Sequence, residues 1–313
     1  MKPEILVASP FYQPQLERLE REFTAHRLWE AKDRAALLRE HAASIRGLAT
    51  TGFAGADAAL MDALPKLEII SCFGVGVDAI DLAAAAERRI IVTNTPEVLN
   101  EDVADLALAL MLAVSRRIAA GDRFVRAGRW LKGNLPLAAK LSGKRLGILG
   151  LGRIGRAIAR RAEAFDMPIA YHSRKPVEGV RYRHYPDLVA LARESDFLVA
   201  IVPGGPATRH IVNEAVMKAL GPQGVLVNVA RGSVVDEEAL VRCLEDGSLG
   251  GAGLDVFEAE PKVPEALFAM DNVVLAPHVG SATHETRNAM GRLTVDNLIA
   301  HFAGKSVLTP VIA

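Results

Sequence analysis

RLGILGLGRIGRAIARRAEAF, residues 145–165, places an apolar run, Leu146 to Leu149, before a glycine-punctuated turn and a stretch with apolar residues at helical spacing. Gly150, Gly152 and Gly155 stand in the G-x-G-x-x-G pattern. That spacing alone is weak evidence in a chain with 26 glycines. Its setting between a strand and an amphipathic helix supplies the mechanism. Gly150 permits a tight turn, Gly152 lets backbone approach a pyrophosphate, Gly155 lets helix and sheet pack closely, and the helix N-terminus offers oriented N–H groups to the anion.

About twenty residues after that turn, such a βαβ unit usually carries an acid for a ribose hydroxyl. Here the next strand ends in YHSRKP, residues 171–176, which holds Ser173, Arg174 and Lys175 instead. An acid would repel a 2′-phosphate, whereas a hydroxyl donor and two cations suit one, with arginine able to bind it bidentately. The motif therefore predicts NADPH in preference to NADH. The competing reading is a solvated basic turn.

Working outward, short aliphatic runs alternate with helical patterns: EILVA, IRGLAT, LEIISC and IIVTN before residue 100, then RLGILG, PIAYHS, DFLVAIV, GVLVNVA, GAGLDV and NVVLAP. Strands separated by amphipathic helices signal βαβ units and parallel sheets. A helical stretch over residues 101–127 interrupts the series, and the C-terminal HETRNAMGRLTVDNLIAHFAGK has helical spacing that suits packing back on the first domain. The fold class predicted is α/β, with two Rossmann-like or flavodoxin-like parallel-sheet domains separated by an active-site cleft. A substrate-binding domain of residues 1–96 plus 283–313 would flank a dinucleotide-binding domain of 97–282, with two crossing helical connections as hinge.

Composition narrows the function classes. The 313 residues suffice for two cores, and the 37 basic residues equal the 37 acidic ones, so no global charge favours nucleic acid or an anionic membrane. The longest apolar run, Leu106 to Val114, falls far short of the roughly 20 residues that span a bilayer. The N-terminus reads as a first buried strand and not as a signal segment. Cys72 and Cys243 lie far apart without zinc or redox spacing. A cytoplasmic, reduced, metal-free protein is expected.

Three later segments follow strands: VNVARGSVVDEEAL (227–240), GLDVFEAEP (253–261) and LAPHVGSAT (275–283). Ligands of an open parallel sheet bind outside the carboxyl ends of its strands, so these loops can converge. They carry Arg231, Glu260 and His278, enough to reduce an anionic ketone beside a nicotinamide. Each has a plainer reading, as a turn cap, a solvated helix entry and a packing histidine. The other seven histidines, His172 and His284 among them, are read as packing or surface residues.

Together FGVGVDAIDL, GILGLGRIG, NVARGSVVDEEAL, GAGLDVFEAEP and APHVGSAT make the chain resemble, over essentially its whole length, the D-isomer-specific 2-hydroxyacid dehydrogenases. PLAAKLSGKRLGILGLGRIG and HFAGKSVLTPV are most similar to the branch of glyoxylate/hydroxypyruvate reductases that includes plant hydroxyphenylpyruvate reductases. The resemblance implies that Arg231 binds the carboxylate of the 2-oxo acid and polarises its carbonyl, that His278 donates the proton and that Glu260 pairs with His278. The backbone at Val75 and Gly76 would hold the substrate carboxylate, and Asp255 the nicotinamide carboxamide or its own loop. The cofactor side would comprise Gly150, Gly152, Arg153, Ile154, Gly155, Ser173, Arg174, Lys175, Pro203, Thr208, Ala230, Asp255 and Gly280. VPGGPAT (202–208) departs from the P-L-T-P-x-T of many relatives, which alters the adenine-side wall.

The activity implied is NADPH-preferring reduction of glyoxylate and hydroxypyruvate, with hydroxyphenylpyruvate or phenylpyruvate reduction as the alternative. Thr51, Gly52 and Phe53 are expected at the substrate side chain. Relatives dimerise through the region that corresponds to 97–135, so a homodimer is expected, with Trp130 reaching the partner's site or packing in the interface. Formate dehydrogenase, of like architecture, pairs its histidine with a glutamine where Glu260 is an acid. A dinucleotide-sensing corepressor would bind the coenzyme without turning it over.

Overall fold

Runs of β-branched and aliphatic residues form the strands of two largely parallel sheets, seen in a computed structural model that describes residues 2–312. In chain order the first elements are β1 (Glu4–Val7), α1 (Gln13–Glu22), β2 (Thr24–Arg27), α2 (Arg34–His41), β3 (Ile45–Thr51), α3 (Ala58–Asp62), β4 (Ile69–Phe73), α4 (Leu82–Glu87) and β5 (Ile91–Thr93). Asp33, Asp57 and Asp81 start α2, α3 and α4 by accepting a backbone N–H from three residues on, the usual N-cap device. Every residue of β4, IISCF, is buried, as in a central parallel strand covered on both faces.

The second series holds α5 (Asn100–Ser115), α6 (Ile118–Arg126), β6 (Leu146–Leu149), α7 (Arg153–Glu163), β7 (Ile169–His172), β8 (Arg183–His184), α8 (Leu188–Arg193), β9 (Phe197–Ala200), α9 (Glu214–Leu220), β10 (Val225–Asn228), α10 (Glu237–Glu245), β11 (Gly251–Leu254) and β12 (Val273–Leu275). All its strand pairs are parallel, in the order β12-β11-β10-β9-β6-β7-β8. The chain then closes with α11 (His284–Phe302) and β13 (Pro310–Ile312). Both belong with the first sheet: α11 packs on it and β13 joins it in the order β13-β5-β4-β3-β1-β2, in which β13 alone runs antiparallel. Val295 and Leu298 of α11 are buried in one cluster with Ile5, Val7, Ile69 and Phe23.

The chain divides into two compact units, Met1–Leu99 with Ser281–Ala313, and Asn100–Gly280. The first has the flavodoxin-type order 2-1-3-4-5 in its leading strands; the second has the Rossmann order 3-2-1-4-5-6 with one strand added.

Two differences from the sequence reading have local causes. The single helix expected over 101–127 is broken, because Arg117 adopts a left-handed φ of 54° between α5 and α6. β2 (TAHR) and β8 (RH) carry no aliphatic run to mark them, and β13 is only three residues long. Among the described residues, no helix is long and apolar enough to cross a membrane.

Candidate active site

The strand order reverses at β6, which has β7 on one side and β9 on the other, and a doubly wound sheet binds its ligands at such a switch point. The Gly150–Gly155 turn leaves β6 there. Gly150 has φ 100°, and a Cβ on it would lie 2.5 Å from the Ile201 carbonyl oxygen; one on Gly155 would lie 2.1 Å from the Gly150 carbonyl oxygen. Neither position tolerates a side chain. Gly152, the N-cap of α7, differs: nothing lies within 4 Å of its Cβ position, and both it and Arg153 are exposed. The space before the first N–H groups of α7, at Arg153 and Ile154, is therefore open. This backbone cradle fits the pyrophosphate of a dinucleotide.

Beyond β7 the basic turn is anchored from below by buried Tyr171, whose hydroxyl accepts the Val177 N–H at 2.8 Å. Arg174 and Lys175 are exposed, and among the described residues neither forms an ion pair. The Ser173 hydroxyl donates to the Lys175 carbonyl oxygen at 2.6 Å and so helps to shape the turn. After β9, the Thr208 hydroxyl donates to the Pro203 carbonyl at 2.7 Å and its N–H to the Gly205 carbonyl at 3.1 Å, which closes the glycine-containing loop on itself.

The three reaction loops meet within the second unit. His278, at φ 53°, places Nδ1 2.8 Å from Glu260 Oε2, while Glu260 Oε1 accepts the Phe257 N–H at 2.9 Å. Burial raises the Glu260 carboxyl. The His278 bond, the Phe257 N–H and the charges of His278 and Arg231 together outweigh it, and the carboxyl sits below the ordinary glutamate range. Asp255 fastens the histidine loop: its carbonyl accepts the His278 N–H at 2.8 Å, and its carboxylate accepts the Val279 and Gly280 N–H groups at 2.7 and 2.9 Å. Burial holds this carboxyl above the ordinary aspartate value in spite of those two donors.

Arg231 stands just beyond β10. Asn228, buried at the strand's end, donates to the Arg231 carbonyl at 2.9 Å and accepts the Ala230 N–H at 3.1 Å, and Arg231 Nη1 donates to the Ala230 carbonyl at 2.7 Å. Gly232 is what joins this turn to the Glu260 loop. A Cβ there would lie 1.8 Å from the Phe257 carbonyl carbon, so only glycine lets the two backbones touch. Asn228 and Gly232 were not singled out from the sequence; the only signal was their place either side of Arg231 in NVARGS.

In the first unit, the turn after β4 points its carbonyls inward. That of Val75 accepts from Asn94 Nδ2 at 2.9 Å, and the Gly74 N–H reaches Thr95 Oγ1 at 3.1 Å. The N–H groups of Val75 and Gly76 have no acceptor among the described residues, as a carboxylate cradle requires. Gly52 lies beside this turn, its Cβ position 3.2 Å from the Gly76 carbonyl oxygen, and neighbouring Phe53 is 66% exposed. Arg287 of α11, which the sequence reading passed over, lies with its guanidinium 5.4 Å from the Phe73 ring centre, and burial lowers its pKa. Among the other histidines, His172 is bonded to the Tyr185 carbonyl and His284 to the Tyr12 hydroxyl.

Residues 108–280 match the family model described as D-isomer specific 2-hydroxyacid dehydrogenase, NAD binding domain. Glyoxylate/hydroxypyruvate reductase A of Arabidopsis thaliana is 54% identical over 308 residues, 98% of each chain. Hydroxyphenylpyruvate reductase of Plectranthus scutellarioides is 53% identical, again over 98% of each. Among solved structures, an NADPH-dependent glyoxylate/hydroxypyruvate reductase of Sinorhizobium meliloti, in complex with NADP and malonate, superposes with a TM-score of 0.94 at 50% identity, covering 99% of this chain and 97% of that one.

Proposed function

We propose that this chain, which belongs to the D-isomer specific 2-hydroxyacid dehydrogenase family, reduces small 2-oxo acids, glyoxylate and hydroxypyruvate first among them, and prefers NADPH. It is an NAD(P)H-dependent oxidoreductase. The observation that carries the reading is the 2.8 Å His278–Glu260 pair, held through Gly232 and Phe257 against the turn that bears Arg231.

When bound, the dinucleotide supplies a hydride to the carbonyl carbon, and the chain's residues do the rest. The Gly152 cradle and the first N–H groups of α7 hold the pyrophosphate, with Arg174 and Lys175 on a 2′-phosphate and the Pro203–Thr208 loop on the adenine side. Ala230, Asp255 and Gly280 shape the nicotinamide end. Arg231 pairs with the substrate carboxylate and draws electron density onto the carbonyl oxygen. His278, fixed through Nδ1 by Glu260, gives the Nε2 proton to the oxygen as it becomes an alkoxide. The adjacent carboxylate stabilises the imidazolium that must carry the proton. In the oxidative direction the same ring accepts it. Where the product is chiral, the D-hydroxy acid is expected.

The unit of residues 1–99 and 281–313 is assigned to the substrate and the unit of 100–280 to the dinucleotide. A cytoplasmic location fits the two buried cysteines, which form no disulfide among the described residues. The segment with Ile118, Val125, Trp130 and Leu131 exposed, together with Leu137 at 99% exposure, is the face through which a second copy would associate. Light scattering of the purified protein tests the dimer.

The activity is tested by steady-state rates with glyoxylate, hydroxypyruvate, pyruvate and phenylpyruvate, each with NADPH and with NADH. Turnover of aromatic 2-oxo acids alone moves the assignment to a hydroxyphenylpyruvate reductase, the reading favoured by exposed Phe53 beside the carboxylate turn and by the Plectranthus relative. Stoichiometric NADPH binding without turnover of any 2-oxo acid makes the protein a sensor.

A further inference from the structure

Three side chains of the first unit converge away from every loop discussed so far. Glu4 opens β1, His26 lies on the edge strand β2, and His41 ends α2. Glu4 and Thr24 are register partners on neighbouring parallel strands, so the two-residue period of a strand puts Glu4, Leu6 and His26 on one face. That face is roofed by α2, whose Leu37 and Leu38 pack on the Leu6, Ile45 and Leu48 cluster. At its rim the His26 and His41 rings stack with centres 3.9 Å apart. Glu4 Oε2 lies 2.8 Å from His26 Nε2 and 3.8 Å from His41 Nδ1. The Ser44 hydroxyl donates to the same oxygen at 2.8 Å and steadies the carboxylate.

Two imidazole nitrogens and a carboxylate oxygen gathered this closely are the donor set of a borderline divalent cation. Zinc bonds of roughly 2.0–2.1 Å in a tetrahedron set its ligand atoms about 3.3 Å apart, between the two spacings seen here. All three donors lie within 4.8 Å of one another, and among the described residues no other group of three such side chains does. The side chains are 14%, 27% and 29% exposed, which leaves a path for entry while holding the ligands in place.

We propose that Glu4, His26 and His41 form a binding site for a divalent cation of the zinc, nickel or copper type, with solvent completing the coordination shell. The cation replaces the His26–Glu4 hydrogen bond and any imidazole proton leaves to solvent, since only the neutral ring coordinates. It clamps β2, whose one strand partner is β1, to the end of α2. Glu4 stands at the start of β1, whereas Thr51 is the last residue of β3 and the Val75–Gly76 turn follows the far end of β4. The cation's effect is therefore on the stability of this unit and not on the reduction itself.

The test uses full-length protein stripped with chelator and titrated with Zn2+ against a chromophoric zinc indicator, with thermal unfolding followed in parallel. The unmodified chain should bind one equivalent and unfold at a higher temperature with zinc. His26→Asn and His41→Asn should each abolish both effects, and Ser44→Ala, which alters only the carboxylate's support, should weaken binding by about 10–100-fold. Because His278 and Glu260 could themselves take zinc, the titration is repeated in His278→Gln, where the equivalent should persist. As a check that needs no change at the site, Cu2+ bound to His278→Gln should show nitrogen hyperfine splitting from two imidazoles. Absence of saturable zinc binding, absence of that splitting, or an equivalent that survives both histidine variants but disappears in His278→Gln, overturns the site.

Discussion

The His278 loop and the Ser173–Lys175 turn both follow parallel strands of the second sheet, β12 and β7, yet opposite physics holds them. Around His278 the groups are shielded and multiply bonded: Asp255 carries three backbone N–H groups of one loop, and Glu260 bonds a ring nitrogen and an N–H of its own loop. At the basic turn the two cations project into solvent, and only Ser173 and the turn's backbone are tied down. The first arrangement fixes a ring before substrate arrives, as proton transfer demands; the second leaves charge uncommitted until a ligand supplies its own anion. Changes at the first should be large and insensitive to salt. Changes at the second should be smaller, specific to one coenzyme and easily screened.

The largest effect expected is that of His278→Gln. Without a proton donor, kcat for glyoxylate reduction should fall by about 10²–10⁴-fold, while NADPH binding, followed by fluorescence titration, stays within a few-fold of the unmodified enzyme. Activity close to normal would remove His278 from the mechanism. Gly232→Ala should come next. Its Cβ has no room against Phe257, so the Arg231 and Glu260 loops must part, at about 1–3 kcal/mol or more of stability and with most of the activity. A variant as stable and as active as its parent would show that the two loops need not touch.

Glu260→Gln should reduce the rate less and change its pH dependence more. The Glu260 carboxyl lies below its ordinary value of 4.5, so its contribution to stability is fully present above that pH and is lost as the pH falls through the lowered value. From neutrality upward the glutamate is an anion throughout, and in the proposed mechanism it stabilises the imidazolium there. Glutamine keeps a hydrogen-bond acceptor but not the charge. The reductive rate should therefore decline with rising pH earlier in the variant than in the parent, and an unchanged profile of kcat against pH would leave Glu260 a structural residue.

What could be read from the sequence divides along the same line. Strand, glycine turn and helix follow one another within twenty-one residues, so the 145–165 stretch specified its strand, turn and helix by local order alone. Arg231, Glu260 and His278 could be placed at strand ends for the same reason. Their partners could not. That Asp255 would bond the 278–280 backbone, or that Gly232 would touch Phe257, depends on how loops more than twenty residues apart lie against each other. The Glu4, His26 and His41 cluster is a register effect between β1 and β2, and β2, TAHR, has no aliphatic run to announce it. Arg287 sat in an ordinary helical pattern, and nothing in that pattern marks it for the Phe73 ring. At Ser173 the residue type suits a phosphate, but it does not show that a hydroxyl two residues from a carbonyl in a tight turn also bonds locally.

The smallest expected effect bears most directly on the contrast between the two loops. Arg174 is exposed and has no ion pair among the described residues, so removing it costs the folded protein little and leaves no buried partner stranded. With NADH, Arg174→Ala should behave almost as the parent does, because a bare ribose gives the guanidinium no charge to meet. With NADPH, one charge-assisted contact is lost; such a bond contributes roughly 1.5–3 kcal/mol before solvent screening reduces it, which sets the expected rise in KM at about tenfold. The screening itself can be measured. Between 0.1 and 1 M salt the Debye length falls from about 10 to about 3 Å, so the parent's preference for NADPH should shrink towards that of the variant, while the ratio of His278→Gln to parent activity stays constant. Equal loss with both coenzymes in Arg174→Ala would make the turn a general anchor for the adenosine half and not a reader of the 2′-phosphate. A preference indifferent to salt would mean that some buried group, and not this exposed pair of cations, selects the coenzyme.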